Sequence, residues 1–182
     1  MKLLLDACVL YPTVTREMLL GVAARGGFTP LWSARILAEW QHAAARLGPE
    51  ARLQAEGEAA LMAARWPAAA VAPAPGPEAR LWLPDAGDVH VLAAAVAGHA
   101  EGIVTRNRAD FPRHILAEEG LARHDPDTLL LTLWQDRSGA VEAAAAEVLE
   151  KARRLSRDGW EMRALLRKAR LPRLGKALAG TT

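Results

Sequence analysis

Residues 84–112, PDAGDVHVLAAAVAGHAEGIVTRNRADFP, constrain the fold more than any other stretch, because they read as a helix followed by a strand. Pro84 and Asp85 open the helix, Val89, Leu92, Ala93 and Val96 recur at its period, and Gly98 stops it. Ile103, Val104 and Thr105 then form a short apolar run, closed by the turn formers Asn107 and Asp110-Phe111-Pro112. A helix-to-strand step across a loop of about four residues suits an α/β unit. In such sheets ligands bind outside the carboxyl ends of the strands, where Thr105, Asn107 and Asp110 fall. Asp88, in the first turn of the preceding helix, can face the same crevice.

The remaining chain continues the alternation. Lys2 to Leu5 reads as a buried strand ending at Asp6, and mixed apolar spacing from Val9 to Ala24 favours a helix starting near Thr13 or Thr15, stopped by Gly26-Gly27. Phe28 to Trp32 is a second strand candidate. Ser33 then caps a helix whose buried stripe is Ile36, Leu37, Trp40 and Ala44, with Glu39 at its border. Another helix runs from about Pro49 to Ala64. The segment WPAAAVAPAPGPEA, with four prolines between Pro67 and Pro77, reads as a loop or insertion, with Leu81 to Leu83 as a strand candidate after it. HDPDTLLLTLW is a helix capped by Asp125 or Asp127, and amphipathic helices are expected over Ala140 to Ser156, Gly159 to Arg170 and Pro172 to Ala179. Strand–helix alternation up to about residue 130 predicts an α/β fold with a mostly parallel central sheet flanked by helices, followed by a helical extension.

Composition narrows the function. A chain of 182 residues is long enough for one domain with a substantial core, and no apolar run approaches the roughly 18 residues that span a bilayer, so no membrane role is expected. Asp6 interrupts the N-terminal leucines early, and no small-residue cleavage pattern follows. The single cysteine, Cys8, excludes an intrachain disulfide framework and cysteine-based zinc clusters, which points to the cytoplasm. The net charge of +2 conceals a split: residues 151–182 hold ten Lys or Arg against Asp158 and Glu161, whereas residues 1–150 hold 13 against 19. An acidic body with a basic tail is a pattern associated with nucleic-acid contact, although a solvated helix face accounts for it equally well.

Four acids occupy positions that parallel strands can bring together: Asp6 after the first strand, Glu39 on an early helix, Asp88 in a first turn, and Asp110 after a late strand. Carboxylates about 4 Å apart repel by roughly 4 kcal/mol per pair at an effective dielectric near 20. Such a cluster needs a cation or raised pKa values. Oxygen donors with few thiols or imidazoles suit Mg²⁺ or Mn²⁺ and the attack of an activated water on a phosphodiester.

LLLDACVLYP, SARILAEW, PDAGDVHVLAAAVA and IVTRNRADFP resemble, in order and spacing, the successive motifs of PIN-domain proteins. The match covers roughly residues 1–135, the expected PIN domain, with residues 136–182 as a basic helical extension of the kind found in one bacterial branch. The resemblance implies a Rossmann-like PIN fold, a divalent-metal-dependent ribonuclease acting on RNA and, in many bacterial members, the toxin of a type II toxin–antitoxin pair, with an antitoxin partner and a homodimer. Carried over by position, Asp6 and Asp88 match the family's metal-binding acids and Glu39 its helical acid. Where many PIN domains have a fourth acid, this chain has Asn107, with Asp110 three residues later as the substitute. The expected site is thus Asp6, Glu39, Asp88 and Asp110 as catalytic acids, Asp6, Asp88 and Asp110 on the metal, and Thr105 and Asn107 as supporting ligands. Cys8 stands where the family often has Asn.

Plainer roles exist for each residue. Asp85 is read as the helix N-cap, Glu39 can pair with Arg35 four residues before it, Thr105 can end a strand, and Asn107 or Asp110 can shape a turn. The five histidines show no ligand spacing and are expected at the surface or its boundary. A PIN-fold nucleic-acid-binding or regulatory module without turnover is the alternative, motivated by Asn107 and Cys8. An aspartyl phosphatase is disfavoured because it needs a second Asp where Cys8 stands.

Overall fold

The strand Lys2–Leu5 (β1) is built from three leucines that are wholly buried, and burial on both faces is what a central strand of a parallel sheet requires. The computed structural model describes residues 1–156 and 158–180. Thr29–Ser33 (β2), Ala70–Val71 (β3), Gly102–Val104 (β4) and Ala122–His124 (β5) complete a five-stranded sheet of order β3-β2-β1-β4-β5. Every pairing is parallel. The chain therefore steps outward from β1 through β2 to β3, then returns to the other side of β1 for β4 and β5. The order reverses between β1 and β4, which is where an open α/β sheet leaves a crevice at its carboxyl edge.

Two compact units divide the chain, Met1–Tyr11 with Thr29–His124, and Pro12–Phe28 with the described part of Asp125–Thr182. In the first, the sheet carries Ala7–Leu10 (α1), Ala34–Ala45 (α3), Pro49–Arg65 (α4), Pro75–Arg80 (α5), Val89–Ala97 (α6) and Arg113–Glu118 (α7). Ser33 caps α3 as expected, accepting from Ile36 N at 3.2 Å. Seven consecutive residues of α6, Val89 to Ala95, are buried, which explains why this helix is apolar all round. Gly102 permits β4 to lie close to β5: a Cβ there would sit 2.6 Å from Ala122 O.

The proline-rich segment is more ordered than a loop. It contains a 3₁₀ turn at Pro67–Ala69, the edge strand β3 and helix α5. Three of its four prolines, Pro67, Pro75 and Pro77, fall in the first turns of the two helical pieces, where a missing N–H costs nothing. Leu81 to Leu83 forms no strand, although Leu83 is buried. The helix expected from Pro84 begins later, as a 3₁₀ turn at Ala86–Asp88 that runs into α6. Helices α1 and α7 and strand β5 were not anticipated, being too short to show periodicity.

The second unit is helical: Thr13–Ala24 (α2), Pro126–Asp136 (α8), Ser138–Leu155 (α9), Met162–Lys168 (α10) and Pro172–Ala179 (α11). Gly21 of α2 lets α9 approach closely, since a Cβ there would lie 3.0 Å from Ala144 Cβ. Asp125 caps α8, and the buried Asp127 caps α11 instead, accepting from Arg173 N and Leu174 N at 3.0 Å each. Leu165, Leu166, Leu171, Leu174 and Leu178 bury the inner sides of α10 and α11. No helix among the described residues is long and apolar enough to cross a membrane.

Candidate active site

Register brings the first two residues of the site together. Leu5 is paired with Val104, so the next residues, Asp6 and Thr105, emerge side by side at the carboxyl edge of the sheet. Asp6 N donates to Val104 O at 3.2 Å, continuing the ladder by one bond. Thr105 Oγ1 donates to Asp6 Oδ2 at 2.7 Å and accepts from Asn107 N at 3.0 Å. Both side chains are buried, Thr105 at 1% and Asp6 at 6% exposure, so this relay is shielded from competing water.

Cys8 completes the support of Asp6. Its Sγ donates to Asp6 Oδ2 at 3.0 Å and accepts from Arg106 N at 3.2 Å. Burial, followed by the Asp6 charge and the hydrogen bond to it, pushes the Cys8 thiol up to about 12. Cys8 is thus a protonated hydrogen-bond donor at neutral pH, a role that an asparagine amide can also fill.

The carboxylates of Asp85, Asp88 and Asp110 each offer an oxygen within 4.8 Å of the others. Asp88 arrives there because the chain changes from a 3₁₀ turn to α6 at that residue, and its side chain caps neither element. Asp110 arrives through the turn that follows β4. Asn107 joins the two: its Oδ1 accepts from Asp110 N at 3.3 Å, which turns its Nδ2 toward Asp110 Oδ2 at 2.6 Å and Asp88 Oδ2 at 3.2 Å. Asn107 therefore acts as a donor between carboxylates and keeps its carbonyl for the backbone. Asp85, read from sequence as a cap, does cap through Oδ1 to Gly87 N at 2.8 Å, and it belongs to the carboxylate group as well.

Asp88 carries the electrostatic consequence. Burial first, then Asp6, Asp85, Asp110 and Glu39 in that order, push its carboxyl up to about 6. Asp6 and Glu39 lie outside the group of three, yet both are close enough to act on Asp88. Glu39 sits on the rim, its Oε1 3.7 Å from Arg35 Nε and 2.7 Å from His90 Nε2. The Arg35 pair expected from sequence is thus present together with a second neighbour. His90 corrects the expectation of surface histidines: it is 5% exposed, and neither ring nitrogen forms an aligned hydrogen bond. Its place within the apolar run VHVLAAAVA was the available signal, since a helix apolar all round buries whatever polar residue it carries.

The donor set tests which ion fits. Its members are carboxylate oxygens, the nearby thiol is held protonated, and no histidine joins the group of three. Hard divalent cations such as Mg²⁺ and Mn²⁺ match such donors.

A family model described as PIN domain matches residues 2–109, a span that takes in Asp6, Glu39, Asp88, Thr105 and Asn107 and stops one residue before Asp110. No curated protein and no solved structure matches the chain.

Proposed function

This chain belongs to the PIN-domain family, whose members are in general nucleases, and on that premise we propose that it is a divalent-metal-dependent endoribonuclease, the toxin of a type II toxin–antitoxin pair. The observation that carries the reading is Asp88, whose carboxyl is driven up to about 6 by burial and four neighbouring acids. An arrangement that resists its own ionisation is one that a divalent cation relieves.

Asp88 and Asp110, with Asp85 from the same group of carboxylates, would hold Mg²⁺ or Mn²⁺, and Asp6, outside that group but close enough to act on Asp88, would join them on the ion. When bound, the cation supplies charge neutralisation at a phosphodiester and acidifies coordinated water. Thr105 and Cys8 orient Asp6 by donating to Oδ2, so that Oδ1 is left for the ion. Asn107 holds Asp88 and Asp110 at a fixed separation. Glu39, flanked by Arg35 and His90, is the acid positioned to receive a proton at the rim. In this reading Thr105 and Asn107 assist through the carboxylates they orient. The partners are RNA, an antitoxin and a second copy of the chain in a homodimer, and the compartment is the cytoplasm.

A second reading has its own observation. Asn107 already donates to two of the carboxylates, which lowers their need for a cation and suits a nucleic-acid-binding module without turnover. Cleavage of labelled RNA separates the two. The nuclease reading expects cleavage with Mn²⁺, loss of it with a chelator, and loss in Asp6→Asn and Asp88→Asn; cleavage indifferent to all three defeats it. A small DNA-binding protein encoded next to this chain's gene is expected for the toxin role.

A further inference from the structure

Residues 162–180 contain six Lys or Arg and no acid. They form α10, α11 and the turn between them, and all six cations are exposed. Lys168 lies over the Trp160 ring, 4.6 Å from its centroid, and Arg173 Nη1 donates to Thr128 Oγ1 at 3.1 Å. The other four, Arg163, Arg167, Arg170 and Lys176, form no ion pair with an acid among the described residues. Arg163 and Arg167 stand one turn apart on the same side of α10. Arg170 occupies the left-handed region at φ 60°, where a helix ending of this kind ordinarily carries glycine or asparagine. Here Leu171 N closes back on Leu166 O at 2.8 Å and the position nevertheless holds an arginine.

We propose that the α10–α11 hairpin is a nucleic-acid backbone surface, on which Arg163, Arg167, Arg170 and Lys176 contact phosphates. Unpaired exposed cations gain most from a polyanion, because its condensed counterions are released on contact. A protein partner is the poorer fit. Protein interfaces have an apolar centre, and the large exposed apolar residues of this chain, Met1, Tyr11, Leu47, Leu53, Leu61, Trp82 and Leu155, all lie outside the hairpin. The groove lined by Glu142, Leu149, Arg153, Glu161, Met162 and Leu178 brings two carboxylates and does not extend the basic surface. The proposal takes its polyanion from the nuclease reading, but binding here requires no turnover and no metal.

The test is binding of a labelled single-stranded RNA to the full chain in chelator across a salt series. For Arg163→Gln, Arg167→Gln, Arg170→Gln and Lys176→Gln combined, the slope of log affinity against log salt should fall by about 3, at about 0.7 per contact, with affinity down at least about tenfold near physiological salt. The corresponding Arg→Lys variant should keep the slope. If the combined variant melts early, Arg163→Gln with Arg167→Gln should show about half the loss. An unchanged slope in a folded variant overturns the proposal, as does binding to anionic lipid vesicles or to an acidic protein without binding to RNA. Cleavage with Mn²⁺ reads the nuclease proposal separately. RNA cleaved by a variant of unaltered slope defeats the surface alone, and slope lost in a chain that never cleaves defeats the nuclease alone.

Discussion

Thr105 Oγ1 donates to Asp6 Oδ2 at 2.7 Å across the β1–β4 pair, so two residues 99 apart in the chain meet at the point where the sheet changes direction. The same hydroxyl accepts from Asn107 N, which makes Thr105 the link between the first acid and the turn that carries the last. Thr105→Val keeps the shape and removes both bonds. Loss of buried partners on this scale is expected to cost about 1–3 kcal/mol in urea unfolding. Cleavage should fall by more than the stability loss accounts for, because Asp6 is released from its orientation.

Asp88 adds a pH dependence to the stability of the metal-free protein. Its carboxyl titrates near 6 in the folded chain, against about 3.9 when unfolded. Below the unfolded value the group is protonated in both states and costs nothing. As pH rises from about 4 to about 6 the folded state loses stability, since the unfolded chain ionises more easily. After discounting for solvent screening at a partly exposed carboxylate, the loss is on the order of 1 kcal/mol. Asp88→Asn should therefore be more stable than the natural sequence at pH 7 in chelator, and should show a flatter melting profile between pH 4 and 6. An equal or lower melting temperature at pH 7 contradicts the electrostatic account of the cluster.

Cys8 should behave as a part-buried, protonated thiol. With its thiol pushed up to about 12, reaction with iodoacetamide at neutral pH is expected to be at least about a hundredfold slower in the native state than in denaturant. Cys8→Ala should weaken Mn²⁺ binding by removing one of the two side-chain donors to Asp6, whereas Cys8→Asn should retain more of it. Fast native-state alkylation would show that the Asp6–Cys8 bond does not form.

Arg170 separates stability from binding. Glycine at this left-handed position relieves backbone strain, so Arg170→Gly should raise stability by about 0.5 kcal/mol in a thermal melt. Its affinity for RNA should fall all the same. A substitution that stabilises the fold while weakening binding is what a functional side chain at an unfavourable backbone position predicts.

Much of this organisation was legible in the sequence, for reasons particular residues make clear. β1 showed itself through three consecutive leucines before an acid, α3 through Ser33 and the spacing of Ile36, Trp40 and Ala44, and α11 through Pro172 and its leucines. What escaped was short or set by tertiary contacts. β3 is two residues long and β5 three, so neither carries an alternation to read. Asp127 looked like a cap for its own helix, and only the packing of α8 against α11 assigns its carboxylate to Arg173 N and Leu174 N. Among the site residues, position in the strand–helix pattern suggested Asp6, Glu39, Asp88 and Asp110. The capping function of Asp85 concealed its place beside Asp88, and the burial of His90 against Glu39 needed the three-dimensional neighbourhood of α6.

The central claim is that Asp6, Asp88 and Asp110 form a divalent-cation site despite Asn107. Isothermal titration of Mn²⁺ into the metal-free protein at pH 7 tests it most directly. The account predicts saturable, stoichiometric binding that weakens as pH falls through about 6, where Asp88 takes up a proton, and that is lost in Asp6→Asn and Asp88→Asn. No measurable heat of binding in a folded protein, or binding unaltered by both substitutions, would contradict it.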